Sequence, residues 1–208
     1  MSHIKAIVFD YDGVIEVGER WLNKAIIALL GIERDLWRET YLKYNHLTNV
    51  ENMPWADMIA FVSAELGADS EKVKTIRTLV EADRASKKIN QPLLEFIKNE
   101  LRPRGFKIGV LSNNTTDLRP RMQKLGIDSL FDVIVVSGEV GHQKPHAEIF
   151  EVLFDRMNVA PSEVVFTDDS PRSLEKAEII GYTPILFHDT DQFKEALANI
   201  LAIKNNVA

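Results

Sequence analysis

Cysteine is absent from the 208 residues. That absence excludes disulfides, thiolate metal sites and thiol nucleophiles together, and it fits a reducing compartment. No block of Lys or Arg stands out either, and 31 acidic against 25 basic residues give a net charge of -6. A nucleic-acid partner is therefore not expected. Long apolar runs are also missing. The stretch AIIALLGI (25–32) is far too short to span a bilayer, and the N-terminus MSHIKAIVFD lacks an apolar signal segment followed by a small-residue cleavage site. The expectation is a cytoplasmic protein with no membrane partner. There is no internal repeat and no low-complexity tract. With 45% hydrophobic and 27% charged residues, the chain reads as one large globular domain, or a domain carrying an insertion.

What is present is a rhythm. The segment IKAIVFDYDGVIEV (4–17) opens as an apolar run, and FKIGVLS (106–112), DVIVVS (132–137), EVVFTD (163–168) and TPILF (183–187) resemble it. Short, nearly continuous runs of Val, Ile and Phe suit strands buried on both faces of a parallel sheet. Helical spacing of apolar residues predicts helices over 91–103, 118–127, 146–159 and 170–182, with Gly126 and Gly181 placed as C-caps. Alternation of the two predicts right-handed βαβ units in an α/β, doubly wound parallel sheet.

One interval breaks the rhythm. Between Gly13 and Phe106 there is far more chain than the roughly 30 residues of a βαβ unit. Its surplus reads as helices over 20–32, 34–47, 55–67 and 70–88. The predicted organisation is an α/β core of 1–15 and 89–208 with an α-helical insertion, 16–88, opening beside the first strand end. DRASKK (83–88) reads as a solvated helix end leading into the hinge, and the tail LAIKNNVA (201–208) as frayed. Trp21, Trp37 and Trp55 read as packing residues of the insertion.

Open parallel sheets bind ligands beyond the carboxyl ends of their strands. Asp10 and Asp12 follow the first strand. Ser112, Asn113 and Asn114 follow the second, the loop GEVGHQKP with Lys144 follows the third, and Asp168 and Asp169 follow the fourth. Four carboxylates form a hard-oxygen set suited to Mg²⁺, and a hydroxyl with a lysine suits phosphoryl oxygens. Singly, each stretch could be an ordinary turn or helix cap. Their ordered recurrence at successive strand ends is what points to a site. His142 and His146 flank Lys144 without a further metal-type partner and read as a loop residue and a helix start.

The motifs FDYDGV, LSNN, GHQKP and FTDDS, in that order, resemble the haloacid dehalogenase (HAD) superfamily of Asp-dependent phosphohydrolases, and the insertion resembles its C1-type helical cap. The resemblance covers nearly the whole chain and implies a Rossmann-like core. It implies Asp10 as nucleophile, Asp12 as general acid/base, and Ser112, Asn113 and Lys144 as phosphate-binding residues. The metal site it implies comprises Asp10, Asp12 through its carbonyl, Asp168 and Asp169. Asp169 is favoured as the direct ligand, because neighbours on an extended strand cannot both point inward. Ser173 departs from the Asn or Asp often found in this type of fourth motif. A second aspartate at position 12 favours phosphoryl transfer over dehalogenation, since only the former leaves an alkoxide that needs a proton.

The expected activity is Mg²⁺-dependent hydrolysis of a small phosphate monoester, such as a sugar phosphate, through an aspartyl-phosphate. A phosphomutase of the same superfamily is the alternative enzyme. A phosphoacceptor or binding domain is the alternative outside enzymes, though its acceptor should follow a middle strand and leaves no place for the insertion.

Overall fold

The computed structural model describes residues 3–205. The chain enters through β1 (Ala6–Phe9) and β2 (Glu16–Val17). Five helices follow: α1 (Leu22–Leu30), α2 (Arg34–Tyr44), α3 (His46–Asn49), α4 (Trp55–Glu65) and α5 (Ser70–Ser86). The chain returns along β3 (Lys88–Ile89) and α6 (Gln91–Phe96), then continues through β4 (Lys107–Ser112), α7 (Leu118–Lys124) and β5 (Val133–Val136). Next come α8 (Ser137–Val140), α9 (Ala147–Met157), β6 (Val164–Asp168), α10 (Pro171–Leu174), α11 (Ala177–Ile180), β7 (Thr183–Leu186) and α12 (Thr190–Asn205).

Five strands form a parallel sheet in the order β5-β4-β1-β6-β7. After β1 the chain builds outward through β4 and β5, then crosses to β6 on the other side, so the strand order reverses beside β1. This is a doubly wound, Rossmann-like α/β fold, and the reversal marks where such sheets bind ligands.

The strands read as apolar runs because both faces are covered. On one face Ile7 and Phe9 pack with Leu93, Phe96, Leu118, Met122, Phe193 and Leu197 from α6, α7 and α12. On the other, Ala6, Val8 and Phe166 pack with Ile149, Phe150, Leu153 and Met157 of α9. The Phe150 ring stacks on Tyr182 at 4.9 Å and meets Phe166 edge-on at 5.5 Å.

The helices between β2 and β3 have a separate core of Leu22, Ile26, Trp37, Met58, Ile59, Val62, Ile76 and Val80, with Trp21 and Trp55 packed against it. All three tryptophans therefore pack within the insertion. The neck of this segment is a two-stranded antiparallel pairing, Glu16 with Ile89 and Val17 with Lys88, that local patterning does not signal.

Three expectations are corrected. Asp83 is not solvated: it is buried, 3.3 Å from Lys87 Nζ, because the end of α5 turns into the neck. The helix predicted over 170–182 is two short ones. Lys176 leaves helical geometry at φ -100°, ψ 11°, which lets Leu174 and Ile180 both reach the α9-side core and leaves Ile179 87% exposed. The tail does not fray at 201: α12 runs to Asn205 with Leu201 buried beside the sheet, while 206–208 lie outside the described residues. Among the described residues no helix is long and apolar enough to cross a membrane.

Candidate active site

Sheet register assembles the site. Phe9 is level with Val110 on one neighbour and Thr167 on the other, so Asp10 emerges at the central strand's end, its N–H donating to the Thr167 carbonyl at 2.9 Å. Asp10 continues the face of Val8, and Asp168 that of Phe166, so alternation turns both carboxylates to the α9 side.

Lys144 lies between them. Its Nζ is 2.8 Å from Asp10 Oδ1 and 2.6 Å from Asp168 Oδ2, and it sits 5.3 Å from the Phe166 ring centroid. Burial alone would lower the Lys144 pKa, but the Asp10 and Asp168 charges hold it above its ordinary value. Asp10 is pushed up to about 8, first by burial and then by the Asp168 charge, against the opposing pull of Lys144. The Asp10 Oδ1 also accepts the Tyr11 N–H at 2.7 Å, which fixes the plane of the carboxylate.

Asn113 clamps the lysine. Its Oδ1 accepts the Lys144 N–H at 2.8 Å and its Nδ2 donates to the Lys144 carbonyl at 3.0 Å. The Asn113 side chain therefore positions Lys144. Ser112 is fully buried at the end of β4, and its Oγ has no hydrogen-bond partner among the described residues. A buried hydroxyl in that condition is suited to an incoming oxygen ligand.

Asp12 lies on the other side of Asp10. The Asn114 amide donates to its Oδ2 at 2.8 Å. Although Asp12 reaches solvent, partial desolvation of its carboxyl raises its pKa, Glu16 adds to the rise, and Arg121, Lys144 and Lys87 oppose it. Behind it the buried Tyr11 hydroxyl donates to Glu16 Oε1 at 3.2 Å, and the Arg121 guanidinium lies 5.4 Å from the Tyr11 ring centroid.

Asp10, Asp168 and Asp169 each present an oxygen, and these lie within 4.8 Å of one another. Both members of the Asp168–Asp169 pair thus face the cluster, contrary to the expectation that neighbours cannot. β6 ends at Asp168, so strand alternation no longer governs Asp169. An all-oxygen, triply acidic set of this kind fits a hard divalent cation such as Mg²⁺. Asp168 has both oxygens engaged, since its second oxygen accepts the Ser170 N–H at 2.8 Å. Gly13, at φ 85°, makes room for this arrangement: a side chain there would collide with the Asp169 carboxylate. Arg20, at the root of the helical segment, is ion-paired with Asp169.

Of the seven site residues expected from sequence, Asp10, Lys144, Asp168 and Asp169 meet directly, Asn113 holds the Lys144 backbone, and Asp12 and Ser112 lie at adjoining strand ends, while His142 and His146 remain exposed outside the acidic cluster. The contributions of Asn114, Arg20 and Arg121 are new. Asn114 stands within LSNN and was visible there as a strand-end residue; nothing local marks Arg20 or Arg121.

A model of haloacid dehalogenase-like hydrolases matches residues 4–178. The chain is 30% identical to bifunctional epoxide hydrolase 2 of Mus musculus over 133 residues, which is 62% of this chain and 24% of that protein. The chain thus spans only about a quarter to two fifths of the epoxide hydrolases it matches. It is 26% identical to phosphatase MT3486 of Mycobacterium tuberculosis, covering 96% of this chain and 94% of the relative. It is 27% identical to the glyceraldehyde 3-phosphate phosphatase of Methanopyrus kandleri, covering 80% and 76%. Among solved structures, a HAD-like family hydrolase of Porphyromonas gingivalis superposes with a TM-score of 0.65 at 22% identity, covering 96% of this chain and 98% of that one.

Proposed function

Because the chain belongs to the haloacid dehalogenase-like hydrolases, we propose that it is a Mg²⁺-dependent phosphatase that hydrolyses a small phosphate monoester through an aspartyl-phosphate on Asp10. The observation that carries this reading is the pairing of two differently held aspartates at one strand end. Asp10 is clamped by Lys144 and the Tyr11 N–H, whereas Asp12 is held apart by Asn114 with its pKa raised. One is placed to attack and the other to carry a proton.

In the first step an Asp10 oxygen attacks phosphorus, the bond to the leaving oxygen breaks, and Asp12 passes its proton to that oxygen. In the second, Asp12, now a carboxylate, takes a proton from water as the water oxygen bonds to phosphorus. The Asp10–phosphorus bond then breaks, inorganic phosphate leaves and Asp12 is protonated again. Lys144 and Ser112 bind the phosphoryl oxygens, with Asn113 holding Lys144 in place.

Asp10, Asp169 and the Asp12 carbonyl would hold Mg²⁺, with Asp168 behind them. When bound, the cation supplies positive charge that offsets the acidic cluster and the phosphoryl group. Ionisation of Asp10, which burial and Asp168 disfavour, would be favoured with the cation in place.

Residues 16–88 act as a cap over the strand ends, excluding bulk water and contributing specificity. Its own hydrophobic core and two-strand neck support treating it as a unit. The glyceraldehyde 3-phosphate phosphatase relative supports a small metabolite ester, a sugar phosphate in particular. The lack of cysteine supports a cytoplasmic setting.

The test is release of inorganic phosphate from a panel of some dozens of metabolite phosphates, with and without Mg²⁺. Turnover confined to small monoesters and dependent on the cation is expected. Absence of turnover across the panel would refute the reading.

A further inference from the structure

Asn52, in the helical segment, has no part in the chemistry outlined above, yet its side chain joins two connections of the α/β core, the loop after β4 and the short helix α8 after β5. Its Oδ1 accepts the Thr116 N–H at 2.9 Å and its Nδ2 donates to the Gly138 carbonyl at 2.9 Å. Those two connections hold Asn114 between them. The Asn114 N–H donates to Ser137 Oγ at 3.0 Å, its carbonyl accepts the Gly138 N–H at 3.0 Å, and its Oδ1 accepts the Thr115 N–H at 2.9 Å. The remaining Asn114 group, its NH₂, holds Asp12.

We propose that Asn52 is a positioning residue: by tying Thr116 to Gly138 it fixes Asn114, and through Asn114 it sets where the Asp12 carboxylate stands. The proposal rests on the reading of Asp12 as proton donor. Two further features fit it. Asn52 adopts φ 63°, a left-handed conformation that Asn tolerates better than most residues, which suggests that the side chain's aim outweighs backbone preference. Position 138 is glycine, where a side chain would run into Asn52 Oδ1 and stand 2.9 Å from the Asn114 carbonyl oxygen. A second link lies beside it, Asn49 Nδ2 to Gln143 Oε1 at 2.7 Å, next to Lys144. The insertion is thus tied by asparagine amides to both loops that present the polar groups, and its placement over the sheet is coupled to their alignment.

The variant used is Asn52→Gly, which removes the amide while keeping the left-handed backbone accessible. Two measurements decide the proposal. In hydrogen exchange, the Thr116 amide loses its acceptor directly. If Asn52 holds the two connections together, the Asn114 and Gly138 amides should also exchange about tenfold faster, the scale of one lost hydrogen bond. In kinetics, a displaced proton donor matters most when the leaving group is poor. So kcat on an alkyl phosphate should fall about tenfold or more, with KM little changed, and kcat on p-nitrophenyl phosphate should fall much less. Gly138→Ala should produce the same pattern from the other side, and the two effects should be non-additive.

Unchanged exchange at Asn114 and Gly138 overturns the proposal whatever the kinetics. Faster exchange with equal losses on both substrates also overturns it, because Asn52 then does not act through Asp12. A wild-type protein with no turnover on either substrate would instead refute the assignment of Asp12, a failure that the exchange data separate from loss of the Asn52 tie.

Discussion

Lys144 Nζ stands 2.6 Å from Asp168 Oδ2 with both side chains withdrawn from solvent, at 1% and 0% exposure. The same ammonium reaches Asp10 at 2.8 Å. One buried ammonium therefore lies against two buried carboxyl groups, and its removal leaves the Asp168 charge without compensation. Lys144→Met should cost about 3–5 kcal/mol of stability at neutral pH and abolish turnover. Urea unfolding with and without Mg²⁺ checks this. A variant as stable as wild type would show that Lys144 and Asp168 do not form a buried ion pair.

The two aspartates of FDYDG should separate chemically. Asp10→Asn should give neither turnover nor a covalent phosphoenzyme. Asp12→Asn keeps the nucleophile but loses proton transfer, worth on the order of 10²–10⁴-fold in rate. With acetyl phosphate, whose leaving group needs little protonation, Asp12→Asn should accumulate a hydroxylamine-labile phosphoenzyme, measured by mass spectrometry. Near wild-type turnover in both variants would reduce the pair to a polar turn.

A cation held at Asp10 and Asp169, with Asp168 behind them, should stabilise the fold. At a concentration about 100 times its Kd, Mg²⁺ should add about 2.7 kcal/mol, a rise in Tm of about 5–10 °C for a chain of this size, reversed by chelator. The effect should grow with pH. Asp10 has a folded pKa of about 8 against an ordinary 3.8. Its contribution to stability is therefore fully present below 3.8 and lost as pH rises towards 8, the window in which the cation restores most. Calorimetry at several pH values measures it, and a Tm indifferent to Mg²⁺ throughout would remove the metal site.

Gly13 tests the same site through sterics. Its φ of 85° and the Asp169 carboxylate lying where a side chain would project leave no place for alanine. Gly13→Ala should weaken Mg²⁺ binding at least tenfold, read by titration calorimetry, while the far-UV circular dichroism stays that of wild type. Unaltered binding would mean that Asp169 is free to move aside.

Much of this protein is legible in one dimension because its signals are local. Val, Ile and Phe runs mark strands covered on both faces, apolar spacing marks helices, and polar residues at the ends of those runs mark the sheet edge that binds ligands. On that basis Asp10, Asp12, Ser112, Lys144, Asp168 and Asp169 stand out before any fold is known, as does the helical insertion. The misplacements come where tertiary burial overrides local pattern. Asp83 looks like a solvated helix end and is buried at the neck, and 170–182 keeps helical spacing across a break at Lys176.

What only the tertiary structure decides is which of these residues meet, because contact across a parallel sheet depends on strand order. β1 lies between β4 and β6, and that order alone sets Asp10 beside Asp168 and brings Asn114, 102 residues away in the chain, to Asp12. The same holds for Asn113, whose amide closes on the Lys144 backbone, and for Asn52, whose amide joins Thr116 to Gly138. A side chain's chemistry is written in its own residue type. Its partner is set by how the sheet winds, and hydrogen bonds, which act over about 3 Å, register nothing until that winding is complete.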